Sequence, residues 1–216
     1  MAITTLNNRS INRSDTASAD QVWTATSATA SDFQAASGGQ WEHLLTSTAS
    51  DSASIAFSST YITTTYLDYM IIFSGIKLAS DNTMPRLMFS VDNGSAYLAD
   101  YRNARMGVND AGNDVNSGQT ASSGLYMGSS QNVGNSTGEG YGGYAIIFDP
   151  MKHSGTTDAY TKMQSFVSYN DTGIGMVTST SANMNKVTTA VNNIKFESSS
   201  GNITSGKVSL YGRKIS

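Results

Sequence analysis

Val191-Asn-Asn-Ile-Lys-Phe-Glu197, Ser198-Ser-Ser-Gly-Asn-Ile-Thr-Ser205 and Gly206-Lys-Val-Ser-Leu-Tyr-Gly212 run together near the end of the sequence and decide its fold class. Ile194 and Phe196 alternate with Lys195 and Glu197, and Val208 and Leu210 alternate with Lys207 and Ser209. A period of two sends successive side chains to opposite faces of a strand, so each segment reads as a strand with one face on a core. The Ser-Ser-Gly-Asn cluster between them is turn chemistry, with Gly201 or Asn202 able to take a positive φ, and the pair reads as a closing hairpin. Its second strand is expected to bring the chain end to a sheet edge.

Working outward, the same grammar recurs. Trp41 to Ala49 and Ser54-Ile-Ala-Phe57 are strand candidates. Asp68 to Leu78 is a longer one, whose continuous apolar run predicts burial on both faces or a bulge at Gly75. Arg86 to Val91 runs into Asp92-Asn-Gly94, which predicts a hairpin with Ser95 to Tyr101. Residues 102–122 and 128–143, rich in Gly, Asn and Ser, read as loops around a short strand at 124–127. Tyr144 to Phe148, Lys162 to Tyr169 and Gly175 to Ser181 complete about ten strands, and Met184 to Asn193 has room for one helical turn at best. Turn-punctuated strands without a convincing helix predict an all-β antiparallel sandwich, and a closing pair distant from its neighbours favours jelly-roll connectivity.

The composition agrees. Charged residues are 13 % of the 216, against about 25 % in an average globular protein, and Ser with Thr make up roughly a quarter. With 20 Gly and 2 Pro, such a chain suits tight turns and disfavours helices, whose backbone bonds Ser, Thr and Asn compete for. A net charge of −3 gives no electrostatic reason to expect nucleic acid or an anionic membrane. Cysteine is absent, so stability must come from packing or assembly. No apolar run approaches the roughly eighteen residues of a membrane span, and Met1-Ala-Ile-Thr lacks the pattern of a secretion signal, so a soluble chain outside the classical secretion route is expected.

Residues 1–37 differ from the sandwich of 38–216. Only Leu6, Ile11, Val22, Trp23 and Phe33 could anchor them, too sparse a set for a core, and an extended arm laid on a partner is expected. Leu6, Arg9, Ile11, Arg13 and Trp23 are its candidate assembly contacts, the two arginines suited to carboxylates on that partner.

Catalytic chemistry is harder to find. His43 and His153 lie in no recognisable motif. A glycosidase needs two carboxyl groups about 5 to 10 Å apart, and Glu42, Glu139 and Glu197 show no such pairing, which disfavours a carbohydrate-active hydrolase. Asn109 to Asp114 and Asp92 to Gly94 offer oxygen ligands but fit no calcium-loop spacing and read as turns. No catalytic residue, cofactor or metal is therefore assigned. Tyrosines at strand ends or in loops can stack on sugars or bury themselves as core trim, and Tyr126, Tyr141, Asn132 and Asn113 are the candidate ligand contacts.

Three of these pieces, taken in order, resemble the virion surface proteins of tailed bacteriophages of marine or aquatic kind. Leu6-Asn-Asn-Arg-Ser-Ile11 is similar to the N-terminal segment of phage fibre and decoration proteins. Ala53 to Phe57, Tyr66 to Gly75 and Ser90 to Gly94 resemble the strand pattern of their globular domains, and Asn193 to Gly212 their closing hairpin. The resemblance implies a trimeric jelly-roll-like domain with an attachment arm on the particle exterior. With no stalk and no repeat, the expectation is a capsid decoration or cement protein docking through its arm on a capsid or tail protein. A short tail fibre or receptor-binding protein contacting host surface glycan is the alternative.

Overall fold

A computed structural model of the chain describes residues 21–25, 31–35, 40–153, 159–173 and 175–214, and divides the chain between Gly39 and Gln40. In the first unit two short strands, β1 (Gln21–Ala25) and β2 (Ser31–Ala35), form an antiparallel hairpin with Trp23 opposite Phe33. Leu6, Arg9, Ile11 and Arg13 lie outside the described residues.

The second unit contains β3 (Trp41–Thr48), β4 (Ser54–Phe57), β5 (Tyr66–Leu78), β6 (Pro85–Ser90), β7 (Tyr101–Asn109), β8 (Ser117–Ser122), β9 (Leu125–Tyr126), β10 (Tyr141–Phe148), β11 (Lys162–Asn170), β12 (Met176–Asn185), β13 (Asn193–Ser198) and β14 (Ile203–Lys214). All pairings are antiparallel. One sheet has the order β3-β14-β5-β10-β11-β12-β7-β8 and the other β4-β13-β6-β9. Eight of these strands trace a jelly roll: β3-β14-β5-β10 face β4-β13-β6-β9, and the chain changes sheet at every step except from β6 to its neighbour β9. The hairpins β7–β8 and β11–β12 are insertions that widen the larger sheet beyond β10.

This topology corrects the opening reading of the closing strands. They alternate as expected, with Ile194, Phe196, Val208 and Leu210 fully buried, but they do not pair with each other. β13 lies between β4 and β6, and β14 lies between β3 and β5 in the opposite sheet. Ser199 to Asn202, with Gly201 at φ 70, is an arch between sheets, and the last strand is interior rather than an edge. Alternation records which face of a strand is dry, and a jelly-roll arch and a hairpin share that record.

Two further expectations change. Asp92-Asn-Gly94 forms its turn, with Asn93 at φ 58 and Gly94 at φ 91, yet residues 95–100 form no strand. Asp92 Oδ1 accepts from Ser90 Oγ and from the Ala96 amide, and the chain then crosses to the other sheet, where the Tyr101 hydroxyl accepts from Phe89 N at 2.8 Å. Residues 102–122, expected as a loop, hold the β7–β8 hairpin. Their strand signal is masked because the buried positions of β7 include Asn103 and Arg105 instead of aliphatic residues.

Of the two alternatives for this strand, burial on both faces or a bulge at Gly75, the structure has the bulge, at φ 59. Tyr69, Ile71 and Phe73 point inward before it, and Ile76 and Leu78 after it, so one extra residue keeps both halves of β5 on the core. Gly206 makes the matching irregularity in β14 directly against Gly75 and Ile76. Across the core, the Phe73 and Phe196 ring centroids are 4.7 Å apart, joining the sheets. Cross-strand charge pairs brace the rims: Arg213 with Asp68, and Arg86 with Glu197 at 2.7 Å.

Candidate functional site

The inserted half of the large sheet has a mixed interior, in which polar side chains stand among Tyr101, Met163, Val167, Tyr169 and Val177. On the inner faces of β7, β11 and β12 stand Asn103, Arg105, Ser165, Ser179, Ser181, Asn183 and Asn185, all buried. The small sheet ends at the two-residue β9, so an irregular segment rather than a strand covers this region, and its backbone needs partners. The side chains beneath supply them. Asn103 Nδ2 donates to Gly124 O, Asn183 Nδ2 to Tyr126 O, Asn185 Nδ2 to Ala99 O, and Arg105 Nη1 to Ser129 O at 3.0 Å.

The outer face of the same strands carries large apolar side chains among polar ones. Tyr144, Phe166, Thr180 and Met106 are register partners across β10, β11, β12 and β7, and form one row. Met106 is 63 % exposed, Phe166 49 % and Tyr144 42 %, with the two rings 6.3 Å apart. Val108 and Met176 extend the patch to one side; on the other, Ile146, Ala182 and Ala104 share a row with the exposed Gln164. Beyond these a groove of about 500 Å³ runs over Ala104 and Ala182 between Phe148, Lys162 and Met184. Scattered exposed apolar residues need no explanation, but a row of neighbours does.

Charge divides along this face. Arg102 and Lys162 share the row of Met184, with Lys186 just beyond, while Asp110 and Asp171 follow the opposite strand ends and Asp114 lies beside Val108. Asp100 pairs with Arg102 and Lys186 and partly offsets the basic end.

A separate, polar cavity of about 310 Å³ opens beside β7 and β8, lined by Arg105, Ser117, Gln119, Tyr126, Ser129, Ser130 and Asn132, with Met84 and Ser199. Two of the four residues singled out from sequence as ligand contacts, Tyr126 and Asn132, meet there. The Tyr126 ring lies 5.5 Å from the Arg105 guanidinium carbon, and its hydroxyl takes a hydrogen bond from Arg86. Asn132 donates to Asn82 Oδ1 at 2.8 Å. The other two lie elsewhere. Tyr141, at 2 % exposure, packs against Tyr169 and Phe73 inside the core, because its place at the start of β10 points it inward. Asn113 sits in the β7–β8 turn, where its amide donates to Asn109 Oδ1. Arg105, which sequence reasoning missed, is the charged group of the cavity, and only its unexplained charge inside an alternating run could have flagged it.

The groups weighed for catalysis are engaged locally. His43 Nε2 meets Thr46 Oγ1 at 2.8 Å, and His153 lies between Asp149 and the Thr64 carbonyl. Glu42 pairs with Lys214, Glu197 with Arg86 and Lys195, and Glu139 is buried with Oε2 accepting the Ser136 amide. Burial pushes the Glu197 carboxyl up, but hydrogen bonds from Lys195 and Arg86 outweigh it and hold the group below its ordinary value. Among the described residues, no group of three or more His, Asp or Glu side chains gathers in a metal-binding arrangement. Comparison with known protein families, with curated proteins and with solved structures gives no match.

Proposed function

We propose that the protein is a structural component of the exterior of a tailed-phage particle, a decoration protein whose sandwich associates through the outer face of β10, β11, β12 and β7. The exposed row of Tyr144, Phe166 and Met106 carries the assembly half of this reading. A domain that worked alone would gain nothing from placing Met106, Phe166 and Tyr144 side by side in water. The phage half rests on the resemblance of the strand pattern and closing segment to exterior virion proteins.

The occupant of the face is a second copy of this chain. Its basic and acidic ends lie about eight residues apart along the strands, so two copies related by a two-fold axis set each basic end over an acidic one. Three copies with parallel strands around an axis would bring like ends together, so the charge pattern favours the pair over the trimer implied by the resemblance. Four strands at about 4.8 Å spacing and roughly 25 Å of length give on the order of 500 Å² per copy. That is at the low end of specific interfaces and corresponds to a pair that exchanges, strengthened by multivalent attachment to a particle.

Sedimentation velocity over a concentration series tests the contact. The wild-type chain should shift to a faster species with rising concentration, and Phe166→Glu should weaken that association at least tenfold while leaving thermal unfolding within a few degrees. A strict monomer, or a Phe166→Glu variant that associates as before, overturns the assembly reading. Immunogold labelling of intact particles tests the location, and label absent from both head and tail overturns the virion reading.

A further inference from the structure

We infer that the cavity around Arg105 binds the carboxylate of an acidic sugar. Arg105 is 6 % exposed and has no ion-pair partner among the described residues. A buried charge of this kind is costly unless it is neutralised or fully hydrogen-bonded. Its contacts are neutral and incomplete: Nη1 donates to the Gly128 and Ser129 carbonyls, Nη2 to Ser117 Oγ at 2.8 Å, and the buried Nε has no acceptor. The guanidinium carries five donors in a fixed plane suited to a carboxylate. A ligand carboxylate entering the cavity beside the guanidinium would supply the missing counter-charge.

The rest of the lining narrows the class. Gln119, Ser130 and Ser199 are exposed at the mouth, Ser117 and Asn132 stand partly buried behind them, and Ser129 is fully buried. Hydroxyls and amides that both donate and accept suit a polyhydroxylated ligand, and Tyr126, flanked by the Arg86 and Arg105 guanidinium groups, borders the cavity. A volume of about 310 Å³ is at the lower bound of small-molecule sites and holds one monosaccharide unit. One fixed positive charge with no second cation nearby in the lining selects a monoanionic carboxylate over a phosphate, which would need more. The cavity shares Gln119 with the groove but none of Tyr144, Phe166 and Met106, so its occupancy is separable from self-association.

Saturation-transfer NMR on the full chain with sodium glucuronate tests the assignment, with glucose and sodium sulfate as competitors at equal ionic strength. Glucuronate should give a transfer signal that glucose and sulfate leave in place, and that weakens with added salt. Arg105→Lys should weaken binding at least tenfold. Because Arg105 also holds the Gly128 and Ser129 carbonyls and its replacement removes those hydrogen bonds, Ser130→Trp is the second variant: it plugs the mouth from an exposed position, and should abolish the signal with the melting temperature unchanged. No signal from folded wild-type protein at millimolar glucuronate, equal competition by glucose or sulfate, or full binding by Ser130→Trp each overturns the proposal. Self-association measured in the same samples should be unaffected, which separates failure here from failure of the assembly reading.

Discussion

Gly75 and Gly206 face each other across β5 and β14, both with positive φ, and substitution to alanine should affect them very differently. At Gly75, φ is 59 and nothing lies within 4 Å of an added Cβ. The left-handed conformation alone then sets the loss, about 1 kcal/mol. At Gly206, φ is 115, well beyond the left-handed basin near +57°. An added Cβ there would stand 2.7 Å from the Gly75 carbonyl oxygen and 2.8 Å from Ile76 Cα, both fixed backbone atoms. Conformational strain of about 1–2 kcal/mol then adds to an overpacking cost of about 1–3 kcal/mol, so Gly206→Ala should lose about 3 kcal/mol. For a chain of this size that is a fall of roughly 6–12 °C in Tm, against roughly 2–4 °C for Gly75→Ala. Urea unfolding followed by tryptophan fluorescence, with Trp41 on β3 beside β14, provides the stability difference, and calorimetry the Tm. Gly75→Asn should be milder still, since asparagine tolerates the left-handed region. Equal losses at the two positions, or the larger one at Gly75, would refute the facing-bulge geometry.

Deleting residues 210–216 should abolish cooperative unfolding, because β14 is hydrogen-bonded on both sides and Leu210 is fully buried; a truncated chain that still melts cooperatively would contradict its interior placement. Glu197 should make stability fall in acid. Its carboxyl is held below the ordinary value of about 4.3, so the unfolded chain binds the proton more readily, and the contribution present at neutral pH is lost as pH drops through that range. Glu197→Gln should lower stability at pH 7 by about 1–3 kcal/mol and flatten the acid limb of the urea-midpoint profile, and an unchanged slope counts against the Arg86–Glu197–Lys195 cluster as its source.

The strands of the jelly roll proper were legible because each sets aliphatic or aromatic residues against polar ones, as in Ile55 with Phe57 or Val208 with Leu210. The bulge at Gly75 was legible as one of two alternatives, since the apolar run through Ile71 to Ile76 cannot keep one phase. β7 and β8 were not legible, because their inward residues serve a loop's backbone and carry Asn and Arg where a core strand carries Val or Ile. The candidate surfaces suffered the same way. Phe166 reads locally as an ordinary strand apolar residue and Met106 lies in a stretch read as loop, and only the tertiary structure shows that both face water on one sheet. Tyr126 and Asn132 were chosen for their chemistry in loops, whereas Tyr141, chosen on the same grounds, is core.

By itself the sequence determined an all-β sandwich, the dry face of most of its strands, the turn positions and the low surface charge, all of which are local quantities set by side-chain period and backbone preference. Tertiary structure alone decided that the two closing strands belong to opposite sheets, that Met106 and Phe166 of the inserted hairpins face water, and that Arg105 sits without a counter-charge in a cavity. Each of these depends on what lies opposite a strand, contributed by residues tens of positions away, and alternation along one segment carries no record of its neighbour.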